Sequence, residues 1–137
     1  MSSGVTITSR PATITDVAMI MARDGVELPA EFLSSIRACK DMSTYLSADD
    51  VVAVFGLAPV MTGVGEAWVV FSEHADAKCF GVIRRMHADM DRWKASGCYA
   101  RIQTIVASDD EDAAEWAESF GAKKEPIALY TWNADEG

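Results

Sequence analysis

One stretch limits the possible folds more than any other: EAWVVFSEHADAKCFGVIRRMHADMDRWKASG, from Glu66 to Gly97. Glu66–Phe71 is aromatic and β-branched, with glycine before it and polar residues after, the pattern of a mostly buried strand. Phe80, Ile83, Met86, His87, Met90 and Trp93 then recur at spacings of three and four. That spacing predicts a helix with one inward stripe, closed at Gly97. Asp76, in the intervening SEHADAKC, is placed to cap it. A strand running into a helix N-terminus gathers free backbone N–H groups and the positive end of the helix dipole at one spot, where α/β proteins hold phosphate.

Ahead of this unit, Val5–Thr8 alternates and is β-branched, which predicts a strand that Arg10-Pro11-Ala12 should break. Thr13, with Asp16 three residues on, is a shortened capping box opening a helix. Its apolar face is Ile14, Val17, Ala18, Ile20 and Met21, and Gly25 ends it. Leu28-Pro29-Ala30-Glu31 opens a second helix with Phe32, Leu33, Ile36 and Cys39 inward. Met42–Leu46 reads as a short strand, Ala48-Asp49-Asp50 as a turn, and Val51–Leu57 as a strand. Gly56 inside it marks a bulge or a close backbone approach, and Pro59 should limit pairing beyond it. Thr62–Gly65 reads as a loop into the central strand, so Met42–Phe71 is expected to be an antiparallel meander.

Behind the unit, Tyr99–Ala107 is a strand, and Ser108-Asp109-Asp110 caps a helix over Glu111–Phe120. Ala113, Ala114, Trp116, Ala117 and Phe120 form its inward face, and Ile127–Trp132 is a last strand. The order β-α-α-β-β-β-α-β-α-β predicts a mixed α/β fold in one domain over residues 1–137. The fold is a twisted mixed sheet of about six strands with helices on both faces. Glu66–Phe71 and Tyr99–Ala107 should be a parallel pair joined by the long helix in a right-handed crossover.

A net charge of −9 and a pI near 4.5 argue against nucleic acid as a partner, because such affinity rests on neutralising phosphates. No apolar run approaches the roughly 20 residues of a membrane span. No stretch has the build of a signal peptide. Cys39, Cys79 and Cys98 are widely separated and read as free thiols of a reducing compartment. The Cys and His spacings suit no metal, and none is expected.

The order of elements, the opening ITSRPATITD and the segment VASDDEDAAEWAESFGA together resemble the GCN5-related N-acetyltransferase (GNAT) family. Ala113 and Gly121 match the family's pattern for the second segment. A narrower likeness is to a divergent bacteriophage subset of internal-virion and assembly proteins of short-tailed phages. It is carried by Trp68 in EAWVVFS and Trp116 in EWAESFGA. The resemblance implies a location in the host cytoplasm or the phage virion, with a phage structural or host protein as partner and homo-oligomerisation as an option. It also implies acetyl-coenzyme A as the cofactor of an active member. Coenzyme A would be held by Val70, Phe71, Lys78, Gly81 and Arg84.

The departures from the family weigh against chemistry. Where it carries glycines that admit the pyrophosphate to backbone amides, this chain has SEHADAKCFG, with Gly81 alone. Asp110 and Ala117 stand where many members have an Asn and the Tyr that protonates the departing thiolate. The chain is therefore expected to be a binding or assembly protein that has kept the fold and lost the chemistry. An acyl-coenzyme A-dependent N-acyltransferase is the alternative. Glu66, Glu73 and His74 flank the central strand as candidate bases for an amine, against the plainer reading of loop polar groups. Lys78, Arg84, Arg85, Arg92 and Lys94 could receive phosphates, or form a solvated face balanced by Asp76, Asp89 and Asp91. Tyr99 and Tyr130 are strand tyrosines that could serve as proton donors if they reached the cleft.

Overall fold

A computed structural model describes residues 6–25, 27–48, 50–72 and 80–105, and further along the chain residues 115, 117–118, 123–124 and 129–133. Its elements are β1 (Ile7–Pro11), α1 (Ile14–Asp24), α2 (Ala30–Arg37), β2 (Asp41–Ser47), β3 (Asp50–Met61), β4 (Val64–Phe71), α3 (Phe80–Ala95), β5 (Arg101–Ile105), β6 (Lys123–Lys124) and β7 (Leu129–Asn133). They form one mixed sheet of seven strands in the order β1-β2-β3-β4-β5-β7-β6. Every neighbouring pair is antiparallel except β4 and β5, which are parallel. The expected mixed α/β architecture is therefore present. The seventh strand is the two-residue β6, too short for any sequence pattern to mark.

Alternation along β3 and β4 divides the core between the two faces of the sheet. Phe55, Leu57 and Ala67 turn to α3 and pack with its Val82, Met86, Met90 and Trp93. Val54, Ala58, Trp68 and Val70 turn to α1 and α2 and pack with Val17, Ile20 and Ile36. Each fully buried aliphatic side chain here contributes about 1.5–3 kcal/mol. Trp68 stands edge-on to Phe32, with ring centroids 5.7 Å apart, and its indole N–H donates to Cys39 Sγ at 3.4 Å.

Gly56 is a close approach and not a bulge. A Cβ there would lie 2.7 Å from Met42 Cγ and 2.8 Å from Trp68 Cζ2. The bulge sits instead at Val52, where the register passes from Tyr45↔Ala53 to Leu46↔Val51.

Asp16 ties three elements together. Its carboxylate accepts from Arg10 at 2.8 and 2.7 Å, from the Thr13 N–H at 3.0 Å and from Thr44 Oγ1 at 2.8 Å. Burial alone would raise its pKa. Arg10, the Thr13 amide and Thr44 outweigh that and hold it below the usual carboxylate value. Gly25 closes α1 with φ at 69°, as a left-handed C-cap requires.

Three expectations change. β1 runs through Arg10 to Pro11, which an edge strand tolerates because a missing N–H there faces no neighbour. β3 continues past Pro59 to Met61, with an irregular register between those two residues, and only Thr62 and Gly63 form the turn into β4. The inward stripe of α3 is Val82, Met86, Asp89, Met90 and Trp93, while Ile83 and His87 are half-buried. Asp89 can be buried because Tyr45 donates its hydroxyl to it at 2.6 Å and Arg92 pairs with it at 2.9 Å. Residues 115, 117 and 118 are helical where a helix is expected, and Ala117 is buried in the α3-side core. Trp116 and the caps expected at Asp76 and at Ser108–Asp110 lie outside the described residues.

Candidate functional site

The central parallel pair does not stay together. Among the described residues, β4 and β5 match at Val64↔Arg101, Gly65↔Ile102 and Glu66↔Gln103 and at no later pair, although β4 continues to Phe71 and β5 to Ile105. The two strands form a fork that opens toward their C-terminal ends.

The backbone groups that face the fork follow from the ladder on the other side. Ser72 N–H donates to Val52 O at 2.9 Å across an opposed pair, so Val70, Trp68 and Glu66, spaced by two, likewise bond to β3. Ala67, Val69 and Phe71 therefore direct their N–H and C=O groups toward β5. At the root of the fork the Ala67 carbonyl accepts the buried hydroxyl of Thr104 at 3.0 Å. Beyond it, Val69 and Phe71 have no ladder partner among the described residues, which on β5 end at Ile105. An extended ligand carrying amides could add there as a strand does.

Glu66 occupies the last paired position, at the apex of the fork. It is half-buried, and by alternation its carboxylate lies on the same face as Trp68, toward α1 and α2. No hydrogen bond or ion pair engages it among the described residues. Val70 buries its side chain in the α1/α2-side core, and its backbone is bonded to β3. Phe71 is the residue of that pair whose backbone faces the fork. Sequence reasoning missed Val69 and Thr104. The first offers only a backbone amide and the second reads as an ordinary strand threonine.

Gly81 lies one residue inside α3 against β1, where a Cβ would come within 2.7 Å of Ile7 Cγ1. Its lack of a side chain serves helix-to-strand packing. Arg84 is exposed in the first turns of α3. The basic residues of this helix are not one cluster: Arg85 donates to Ser9 Oγ at 3.2 Å, whereas Arg92 and Lys94 belong to the last turn. Eight residues separate Arg84 from Arg92, about 12 Å at the helical rise. Glu73, His74 and Lys78 lie outside the described residues.

Two tyrosines lie on the α3 side of the sheet. Tyr45 donates to Asp89, and Tyr99 donates to Asp41, its ring passing over Gly65 where a Cβ would be 2.9 Å away. Burial first, and then the neighbouring carboxylate, pushes each phenol well above the ordinary tyrosine range. Neither hydroxyl is available as a proton donor to the fork.

A mixed sheet whose central parallel pair forks, with helices on both faces, is the architecture of the GNAT acetyltransferases, and solved structures of that family superpose on almost the whole chain. A GNAT-family acetyltransferase from Streptococcus pneumoniae matches with a TM-score of 0.65 at 15% identity, covering 91% of this chain and 96% of that one. The dodecameric spermidine N-acetyltransferase from Vibrio cholerae matches with a TM-score of 0.72 at 12% identity, covering 96% and 95%. The ribosomal-protein-S5-alanine acetyltransferase from Vibrio fischeri gives 0.70 at 12% identity, covering 99% and 97%. No protein-family model and no curated protein sequence matches the chain. The fold is GNAT-like.

Proposed function

We propose that this chain is a GNAT-fold domain that takes an acyl-coenzyme A into the β4–β5 fork but is weakened in acyl transfer, and that it acts as a binding or assembly component. The observation that carries this reading is the fork itself. Its open edge at Val69 and Phe71 suits the extended amide-bearing arm of coenzyme A, which supplies an activated acyl group when bound. Phe71, Gly81, Arg84 and, from the sequence, Val70 and Lys78 remain the proposed surroundings of that cofactor.

Transfer to an amine needs a base to take the amine proton and an acid to protonate the leaving thiolate. Glu66 at the apex is the group we assign as base. For the acid, Ala117 offers nothing and is buried, while Tyr45 and Tyr99 are held by Asp89 and Asp41. Tyr45 and Tyr99 are thus both withdrawn from the second half of the reaction, and the side chain of Tyr130 lies outside what the structure describes.

Calorimetric titration with acetyl-coenzyme A tests the reading. A dissociation constant of about 0.1 mM or weaker is expected, equivalent to about 5 kcal/mol, with no turnover on simple amines. Low-micromolar binding, lost in a Lys78→Glu, Arg84→Glu double variant and accompanied by turnover that Glu66→Gln lowers about 100-fold, would favour the active N-acyltransferase instead.

The virion or assembly role in a bacteriophage, with a phage or host protein as partner, is supported by the likeness of the Trp68 and Trp116 segments. Capsid and tail genes beside this one would strengthen it. Self-association belongs to the same proposal. Val60 and Met61, 44% and 68% exposed at the tip of the β3–β4 hairpin, are the apolar residues best placed for it.

A further inference from the structure

A second concave region lies two strands away from the fork. It is a cavity of about 300 Å³ between β1, the start of β2 and the C-terminal end of α3. That volume is at the lower end of small-molecule sites. Its charged groups are of both signs, so the class of ligand depends on which of them are already engaged.

Each of the two acids accepts hydrogen bonds within the protein while keeping its negative charge. Asp89 accepts from Tyr45 through one carboxylate oxygen and from Arg92 through the other, and Asp41 accepts from Tyr99. The cations have more left to offer. Lys40 is exposed and has no hydrogen-bond or ion-pair partner among the described residues. Arg92, whose side chain is 67% exposed, gives one contact to Asp89 and keeps its other N–H groups. Arg10 is paired with Asp16, but its side chain is still 45% exposed at the rim.

Ser9 adds a neutral donor. Its oxygen accepts from Arg85, which leaves the hydroxyl hydrogen free to point into the cavity. The carbonyl end of the α3 dipole opposes an anion here. Arg92 and Lys94, both in the last turn, offset it. Met42, Pro11 and the buried Trp93 supply apolar wall.

We propose that this cavity binds a small organic anion, a single carboxylate or phosphate group on a short apolar body. Lys40 and Arg92 receive the charge, Ser9 donates to it, and Met42 and Trp93 line the body. Lys40 and Arg92 are the cations of this cavity least committed to the protein's own acids, which directs an anion to their side of it. The site is independent of coenzyme A, because β3 separates β2 from the forked strand β4.

The test is a titration of isotope-labelled protein at low ionic strength with benzoate, phenyl phosphate and the dication of 1,4-diaminobutane, followed through the amides of Lys40, Met42, Ser43 and Trp93. One of the two anions should shift these signals saturably, and the stronger of the two tells carboxylate from phosphate. Lys40→Glu should weaken that binding at least tenfold and Lys40→Gln by less, with the remaining spectrum unchanged. Excess acetyl-coenzyme A should leave the shifts in place, whether or not it binds the fork. Three results overturn the proposal: no movement with either anion, unchanged affinity in Lys40→Glu, or tighter binding of the diamine at the same amides.

Discussion

The two edges of β4 differ more than any other two regions of this molecule. On the β3 side the strand is matched from Val64 to Phe71, and the residues bonded there, Trp68 and Val70, send their side chains into the α1/α2-side core. On the β5 side it is matched at three positions among the described residues. One strand thus separates two tasks by its twofold alternation. Even-numbered residues hold the sheet together, and odd-numbered residues from Ala67 onward present backbone to the fork. The residues that stabilise the strand are therefore not those whose backbone faces the fork.

The sharpest way to break the comparison is at Trp68. Trp68→Ala removes a buried indole from the β3-bonded series and should cost about 3–5 kcal/mol in denaturant melts. A loss within about 1 kcal/mol of the parent would mean that this half of the strand does not carry the stability assigned to it. Hydrogen exchange sharpens the same contrast with less disturbance. The amides of Val69 and Phe71 should exchange at least about tenfold faster than those of Trp68 and Val70, and acetyl-coenzyme A should slow the faster pair. Equal protection would mean that the fork is closed in solution. The smallest effect is expected at the root of the fork. Thr104→Val leaves the Ala67 carbonyl without its hydroxyl partner and should cost about 1–2 kcal/mol, while Thr104→Ser should recover most of it. A cost near zero for the valine would show that this bond does not hold the root.

Much of the fold was legible in the sequence because its signals are local. Thr13 with Asp16, Gly25 after α1, and the apolar run of Glu66–Phe71 ahead of a helical stripe each state their own structure. Gly56 was legible only as either a bulge or a close approach, and the crowding by Met42 and Trp68 decides for the second. What the sequence hid depends on partners far along the chain. Periodicity counts apolar residues, so it placed His87 on the inward face of α3 and passed over Asp89, whose burial needs Tyr45 on β2. Tyr99 gives no sign that Asp41 will accept its hydrogen bond, and Thr104 gives none that it will bridge a fork. At the candidate site Glu66 was visible as an acid at the start of a buried strand, but its place at the apex is a property of where pairing ends.

The fork also bears on the chain's behaviour at high concentration. Unpaired backbone at the border of a sheet is a template for the border of another copy, and it is how β-proteins begin to aggregate. Among the described residues the amides of Val69 and Phe71 are unmatched in the interior of the sheet, with β5 and β7 standing beyond them. A second sheet cannot reach such an edge broadside. Only a single slender chain, entering end-on from the open mouth, can form hydrogen bonds with it. The molecule can therefore keep an unpaired strand edge there without offering neighbouring copies a surface on which to stack.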